Sequence, residues 1–285
     1  MKFRIILYCL LGGLGMSIVA LGAGNFAWWY SAGVVMTASF VPVAMFGPRK
    51  FTGQFAVILP VLLVVACLCT WSEALLFVAT PEMKQHAMRD LYSECFTYTI
   101  ISAILAALAS LLRLPRASDY SLKLRPPAAL VMMVFAAGLV YVLFYLVFGG
   151  ITYQFFTRQY YPDAVTKVAP LGLWFWAIEF GRGVMMALAV LPVICTLRMS
   201  RMNSAIAVGL LIWVTGGLAL LIPPNPFMGS AQRFIHTIEI LTQNFPLGFA
   251  ATLLMRPKPS AADRAHEHFV SADSLGRRPA LQGHD

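Results

Sequence analysis

Charge is what this sequence has least of: Asp, Glu, Lys and Arg together fill 12% of its 285 positions. A water-soluble domain carries roughly 25%. So little charge cannot cover a water-facing surface, which excludes an ordinary soluble enzyme. Short segments of alternating polar and apolar residues are missing too, which excludes an outer-membrane barrel. Reaction signatures are also absent. There is no HExxH, GxSxG or Ser–Lys pattern, no phosphate loop and no dinucleotide fingerprint. The five cysteines (Cys9, Cys67, Cys69, Cys95 and Cys195) are odd in number and lack metal-ligand spacing. They read as small buried hydrophobes. Cys67 and Cys69, two apart on a helix, point to different faces. No cofactor and no metal is implied.

What is present is apolar. Hydrophobic residues make up 59% of the chain, and mean hydropathy is +0.75. Apolar runs fall at roughly 5–23, 27–46, 54–79, 94–112, 128–149, 171–197, 204–222 and 234–255. At about 1.5 Å per residue, each can cross a hydrocarbon core of about 30 Å. The expected fold is an all-α, polytopic transmembrane helical bundle of about eight spans, occupying residues 1–256. The polar segment 257–285, without periodic apolar residues, is expected to be a disordered cytoplasmic tail. His266 and His268 in it are expected to be solvated. Residues 1–23, basic and then apolar with small residues near Ala20–Ala23, also fit a signal peptide, cleaved or retained.

Basic residues orient the bundle. Fifteen of the 21 Lys and Arg fall on one side: Lys2, Arg4, Arg49, Lys50, Arg113, Arg116, Lys123, Arg125, Arg198, Arg201, Arg256, Lys258, Arg264, Arg277 and Arg278. Lys84, Arg89, Arg158, Lys167 and Arg233 fall on the other, and Arg182 lies inside a span. The asymmetry predicts that both termini are cytoplasmic. It accounts for the net charge of +9 without a nucleic-acid partner. Short connections suit a bacterial inner membrane. Two external loops are larger, 80–93 with His86, Arg89 and Asp90, and 150–170 with Tyr153, Phe155, Phe156, Tyr160 and Tyr161; the second, rich in aromatics, is expected to lie along the membrane interface.

Pro42, Pro60, Pro192 and Pro246 fall within spans and predict kinks, because each removes a backbone donor. Gly12, Gly13, Gly15, Gly181 and Gly183 predict close helix approach. A 4+4 repeat, 1–125 and 126–256, is suggested by the similar ends LLRLPR (111–116) and LLMRPK (253–258). Both halves would start on the same side, making the repeat parallel.

The chemistry-bearing residues are the charges inside the spans. Glu73, Glu179 and Glu239 lie about 9, about 12 and about 8 Å below the outer ends of their spans. They therefore share one layer in the outer half of the membrane. Glu179 and Arg182 are i and i+3, within pairing reach on one helical face. His236, Glu239 and Gln243 form a polar stripe, and Asn244 borders it. Ionisable groups in hydrocarbon face a protein interior or a water-filled cavity. The expected function is permease-like transport of a small solute or ion. Glu73 and Glu239 would be protonatable groups, Glu179–Arg182 an anchoring pair, and His236 a pH-sensitive or substrate contact. Two other readings stay open. One is an intramembrane hydrolase or transferase, metal-dependent or not, acting on lipid or peptide with Glu239 or His236 as base and Arg182 as oxyanion stabiliser. The other is a non-catalytic subunit held by membrane-protein partners.

Overall fold

The computed structural model describes residues 1–20, 25–77, 81–116, 122–160, 163, 165–166, 169–224 and 228–258. Among them the chain is all-helical, with 85% helix and no strands. Among the described residues six helices are long and apolar enough to cross a membrane: Lys2–Val19, Phe51–Glu73, His86–Leu111, Pro127–Thr157, Leu173–Thr196 and Arg201–Leu221.

Helix α1 (Lys2–Val19) packs along α2 (Phe26–Ser39), whose start is capped by the Asn25 side chain accepting from the Ala27 N–H. The expected span 27–46 is broken. Pro42 has no N–H to continue the ladder, so the helix turns at Phe40 and restarts as α3 (Val41–Phe46). Helix α4 (Phe51–Pro60) then runs through a widened, π-type stretch, Val61–Cys69, into α5 (Thr70–Phe77).

Helix α6 (Pro81–Leu111) is 31 residues long. The loop expected at 80–93 is therefore helical from residue 81. At 1.5 Å per residue such a helix is about 46 Å long and projects beyond a bilayer core. Its end is a left-handed cap in which Arg113 takes φ 49°, with Leu114 N–H donating to Ala109 and Arg113 N–H to Ser110. Helix α7 (Pro127–Phe144) continues through the widened turn Tyr145–Gly149, the short α8 (Gly150–Thr152) and a second widened turn, Tyr153–Thr157. The second expected loop is thus helical as far as Thr157. Phe155 and Phe156 point outward from the bundle.

Helix α9 (Leu173–Thr196) contains Pro192. Helix α10 (Arg201–Trp213) passes through the widened turn Val214–Leu218 into α11 (Ala219–Leu221). Helix α12 (Ser230–Met255) is 26 residues long and contains Pro246. Its length suits a span. Its polar stripe keeps it outside the six strongly apolar helices. Tyr161, Asn225 and the tail from 259 onward, with His266 and His268, lie outside the described residues.

Three helix pairs meet glycine against glycine. Gly13 faces Gly33 between α1 and α2, Gly138 faces Gly183 between α7 and α9, and Gly209 faces Gly248 between α10 and α12. A Cβ on Gly183 would lie 2.7 Å from the Tyr141 Cβ, so these contacts need hydrogen at that position. Gly181, expected to serve the same purpose, has open space around it instead.

The basic end of the bundle is sealed by arginines on helix carbonyls. Arg256, 2% exposed, donates to the carbonyls of Ile194, Leu197 and Met199 and to the Ser204 hydroxyl. Arg201 donates to Leu253 and Arg256 carbonyls, and Arg125 to the Leu254 carbonyl. The last carbonyls of a helix lack intrahelical partners and carry partial negative charge, so guanidinium donors satisfy both needs.

Candidate functional site: a carboxylate–arginine cluster

At the opposite end, the sequence of α9 puts Glu179 and Arg182 one turn apart on its inward face. Glu179 is fully buried and the Arg182 side chain is 6% exposed. Arg182 Nη1 donates to Glu179 Oε2 at 2.8 Å, and its Nη2 donates to Glu73 Oε2 at 2.8 Å. The planar fork of one guanidinium is shared between two carboxylates from distant parts of the chain. That geometry suits arginine and would not suit the point charge of lysine. Tyr141 on α7 places its ring 5.9 Å from the Arg182 Cζ, within cation–π range. Its hydroxyl side lies against Glu179, and the Cys69 thiol lies against Arg182.

A second pair sits beside the first. On α12, His236 Nδ1 and Glu239 Oε2 are 3.0 Å apart, with the two side chains 17% and 16% exposed. His236 is close enough to Glu73 and Arg182 to feel both charges. Gln243 lies further along the same helix, and a Cβ on Gly149 would come within 3.3 Å of its Nε2 and 3.8 Å of Glu239 Oε1. Asn244 reaches Gly216. The cluster therefore holds three carboxylates against one guanidinium and one imidazole.

Against Glu73 and Arg182 lies a small pocket, lined also by Tyr141, Gln243 and Asn244. Its free centre is room for about one water molecule. Glu179 Oε1, Arg182 Nε and Gln243 Nε2 are buried without a hydrogen-bond partner among the described residues. Buried polar atoms are usually satisfied, and exceptions in native proteins mark strained or working sites.

Widened turns bring these side chains together. Val65 and Cys69 line the pocket from Val61–Cys69, and Gly216 lines it from Val214–Leu218. Gly149, in Tyr145–Gly149, abuts Gln243 and Glu239. Such π-type turns shift the register of a helix and recur at functional sites.

Of the residues singled out in the sequence, Glu73, Glu179 and Arg182 are in direct contact. His236 and Glu239 form the adjacent pair, and Asn244 lines the same pocket. His86 on α6 is exposed. Among the described residues no group of three or more His, Cys, Asp and Glu side chains is placed to hold a metal ion. Sequence reasoning missed Tyr141, Cys69 and Gly216. A tyrosine in the middle of an otherwise apolar span was the available signal for the first. Nothing matches this chain among protein-family models, curated proteins or solved structures.

Proposed function

We propose that this chain is an eight-span inner-membrane transporter of protons or a small cation, with both termini cytoplasmic and its ion-handling cluster near the outer face. The observation that carries the reading is the surplus of carboxylate in the cluster around Arg182 and His236, beside a pocket with room for about one water molecule. A surplus of negative charge favours a cation over an anion. The small pocket favours an ion or a proton over an organic solute. Glu73 and Glu239 are the groups that take up and release charge, and His236 is the relay between them. Glu179 is the fixed partner of Arg182.

Counting from the basic ends of the helices supports the depth. Glu179 lies about 27 Å from Leu197, and Glu239 about 24 Å from Met255, at 1.5 Å per residue. Both fall in the outer third of a core about 30 Å thick.

The internal repeat, 1–125 and 126–256, is part of the proposal, and several observations support it. Gly33 and Gly183 each stand nine residues before a Pro–Val pair, at Pro42 and Pro192. Each glycine packs on a glycine of the preceding long helix. The third span of each half contains a widened turn, Val61–Cys69 and Val214–Leu218. A Cβ on Gly216 would lie 3.0 Å from the Val65 Cγ1, so the two turns face each other. Transporters built from repeats bind their substrate where the halves meet. Here the hydrogen bond between Glu73 of the first half and Arg182 of the second bridges that junction. Protonating Glu73 weakens this bridge and so couples charge uptake to movement of the halves. The site is one-sided. By the same spacing from proline, the positions matching Glu179 and Arg182 in the first half are Trp29 and Ala32.

The test is proton uptake, and in parallel Na⁺ and K⁺ uptake, into vesicles containing the purified protein. Wild type should accumulate one of these ions, and Glu239→Gln and His236→Ala should lower the rate at least about tenfold, the scale of losing a positioned proton carrier. Equal rates for wild type, both variants and empty vesicles would overturn the reading.

A further inference from the structure

The five cysteines, expected to be inert packing residues, are not all alike. The widened turn Val61–Cys69 aims Cys69 at Arg182 and Cys67 at α6. There the Cys67 and Cys95 sulfurs are 3.8 Å apart. Glu94 Oε2 is 3.7 Å from the Cys67 sulfur, in line to accept its proton. Cys67 is fully buried, Cys95 is half-buried, and Glu94 is exposed. These three side chains form a gradient from the bundle interior to its surface. A thiol that must lose a proton needs an acceptor beside it, and Glu94 stands in that place.

We propose that Cys67 and Cys95 form a redox-active dithiol that reduces apolar disulfide compounds, with Glu94 as its proton acceptor. The more accessible Cys95 loses its proton to water and, as thiolate, attacks one sulfur of the incoming disulfide. The disulfide bond breaks, one thiolate leaves and takes up a proton from water, and a mixed disulfide forms on Cys95. Cys67 then gives its proton to Glu94, and its thiolate attacks the Cys95 sulfur. The Cys67–Cys95 bond forms, and the second thiol departs with the proton from Glu94. The protein has lost two hydrogens and the incoming disulfide has become two thiols, so atoms and electrons balance. Exchange needs a thiolate, an accessible sulfur and a second thiol within reach. Closing from 3.8 Å to a bonded distance of about 2.05 Å brings the two sulfurs together. Oxidation would tie the Glu73-bearing segment to α6, but the chemistry does not depend on any transport activity.

The experiment uses the full chain in detergent and 4,4′-dithiodipyridine, an apolar aromatic disulfide. Peptide mass mapping should find Cys67 joined to Cys95, with two thiopyridone molecules released and no adduct retained on either residue. Cys67→Ser should instead retain the adduct on Cys95. Glu94→Gln should reach the same linked product at least about tenfold more slowly, as loss of a positioned base requires. Separate stable adducts on Cys67 and Cys95 in the wild type, or no reaction at either, would overturn the proposal. The wild-type mapping decides by itself if a variant fails to fold.

Discussion

Two buried arginines hold this bundle at opposite ends, and they are held differently. Arg256 at the basic end spends its donors on helix carbonyls and one hydroxyl, and its Nε, Nη1 and Nη2 all make hydrogen bonds. Arg182 at the opposite end spends two donors on carboxylates and leaves Nε without a hydrogen bond among the described residues. The first arrangement is a cap. It satisfies the Ile194 carbonyl at the end of α9 and adds a second donor to the Leu197 and Met199 carbonyls. The second is an ion cluster with surplus negative charge, an adjacent histidine and a pocket. A protein seeking only stability would satisfy the cluster as fully as it satisfies the cap, because half-satisfied polar networks cost more than apolar packing. The contrast is why the Arg182 cluster, and not the basic end, is assigned function.

The largest effect that would break this contrast is expected from Arg182→Ala. It leaves Glu73 and Glu179 facing each other without their cation, a loss of about 3–5 kcal/mol, to be read as a fall in thermal unfolding temperature in detergent. Adding Glu73→Gln and Glu179→Gln to that variant should recover most of the loss, because the stranded charges are then gone. Failure of the added changes to recover stability would mean that Arg182 acts by packing. Arg256→Met should come next, at about 1–3 kcal/mol from the Ile194 carbonyl left without a donor. The same unfolding measurement checks it, and a cost near zero would remove Arg256 as a cap.

Smaller effects sharpen the geometry. Gly183→Ala must push α7 away from α9 and shift Tyr141 off the guanidinium, at about 1–3 kcal/mol. Gly181→Ala, two residues away in open space, should change stability by less than about 0.5 kcal/mol. Equal costs for the two would contradict the close approach at Gly183.

Much of this was readable in the sequence, and the reasons differ by residue. Hydropathy marks apolar helices because the backbone must satisfy itself inside a membrane. The i, i+3 spacing of Glu179 with Arg182 and of His236 with Glu239 gave both local pairs. The bond from Glu73 to Arg182 was not readable, since hydropathy gives depth along a helix but not the direction a side chain faces. The extension of α6 over 81–93 was missed for another reason. Its polar residues were read as loop, although Pro81 suits a first helical position and Glu82, Met83, Lys84 and Gln85 are good helix formers. The widened turns left no periodic signature, because apolar residues surround them on every side.

The most direct measurement is ion uptake into vesicles by Glu73→Gln and Arg256→Met, side by side with wild type and corrected for folded protein. Glu73→Gln keeps an acceptor for Arg182 but cannot cycle its charge. The account predicts a rate at least about tenfold below wild type for it, and an unchanged rate for each folded molecule of Arg256→Met. Normal uptake by Glu73→Gln, with uptake lost in Arg256→Met, would contradict the assignment of function to the Arg182 cluster.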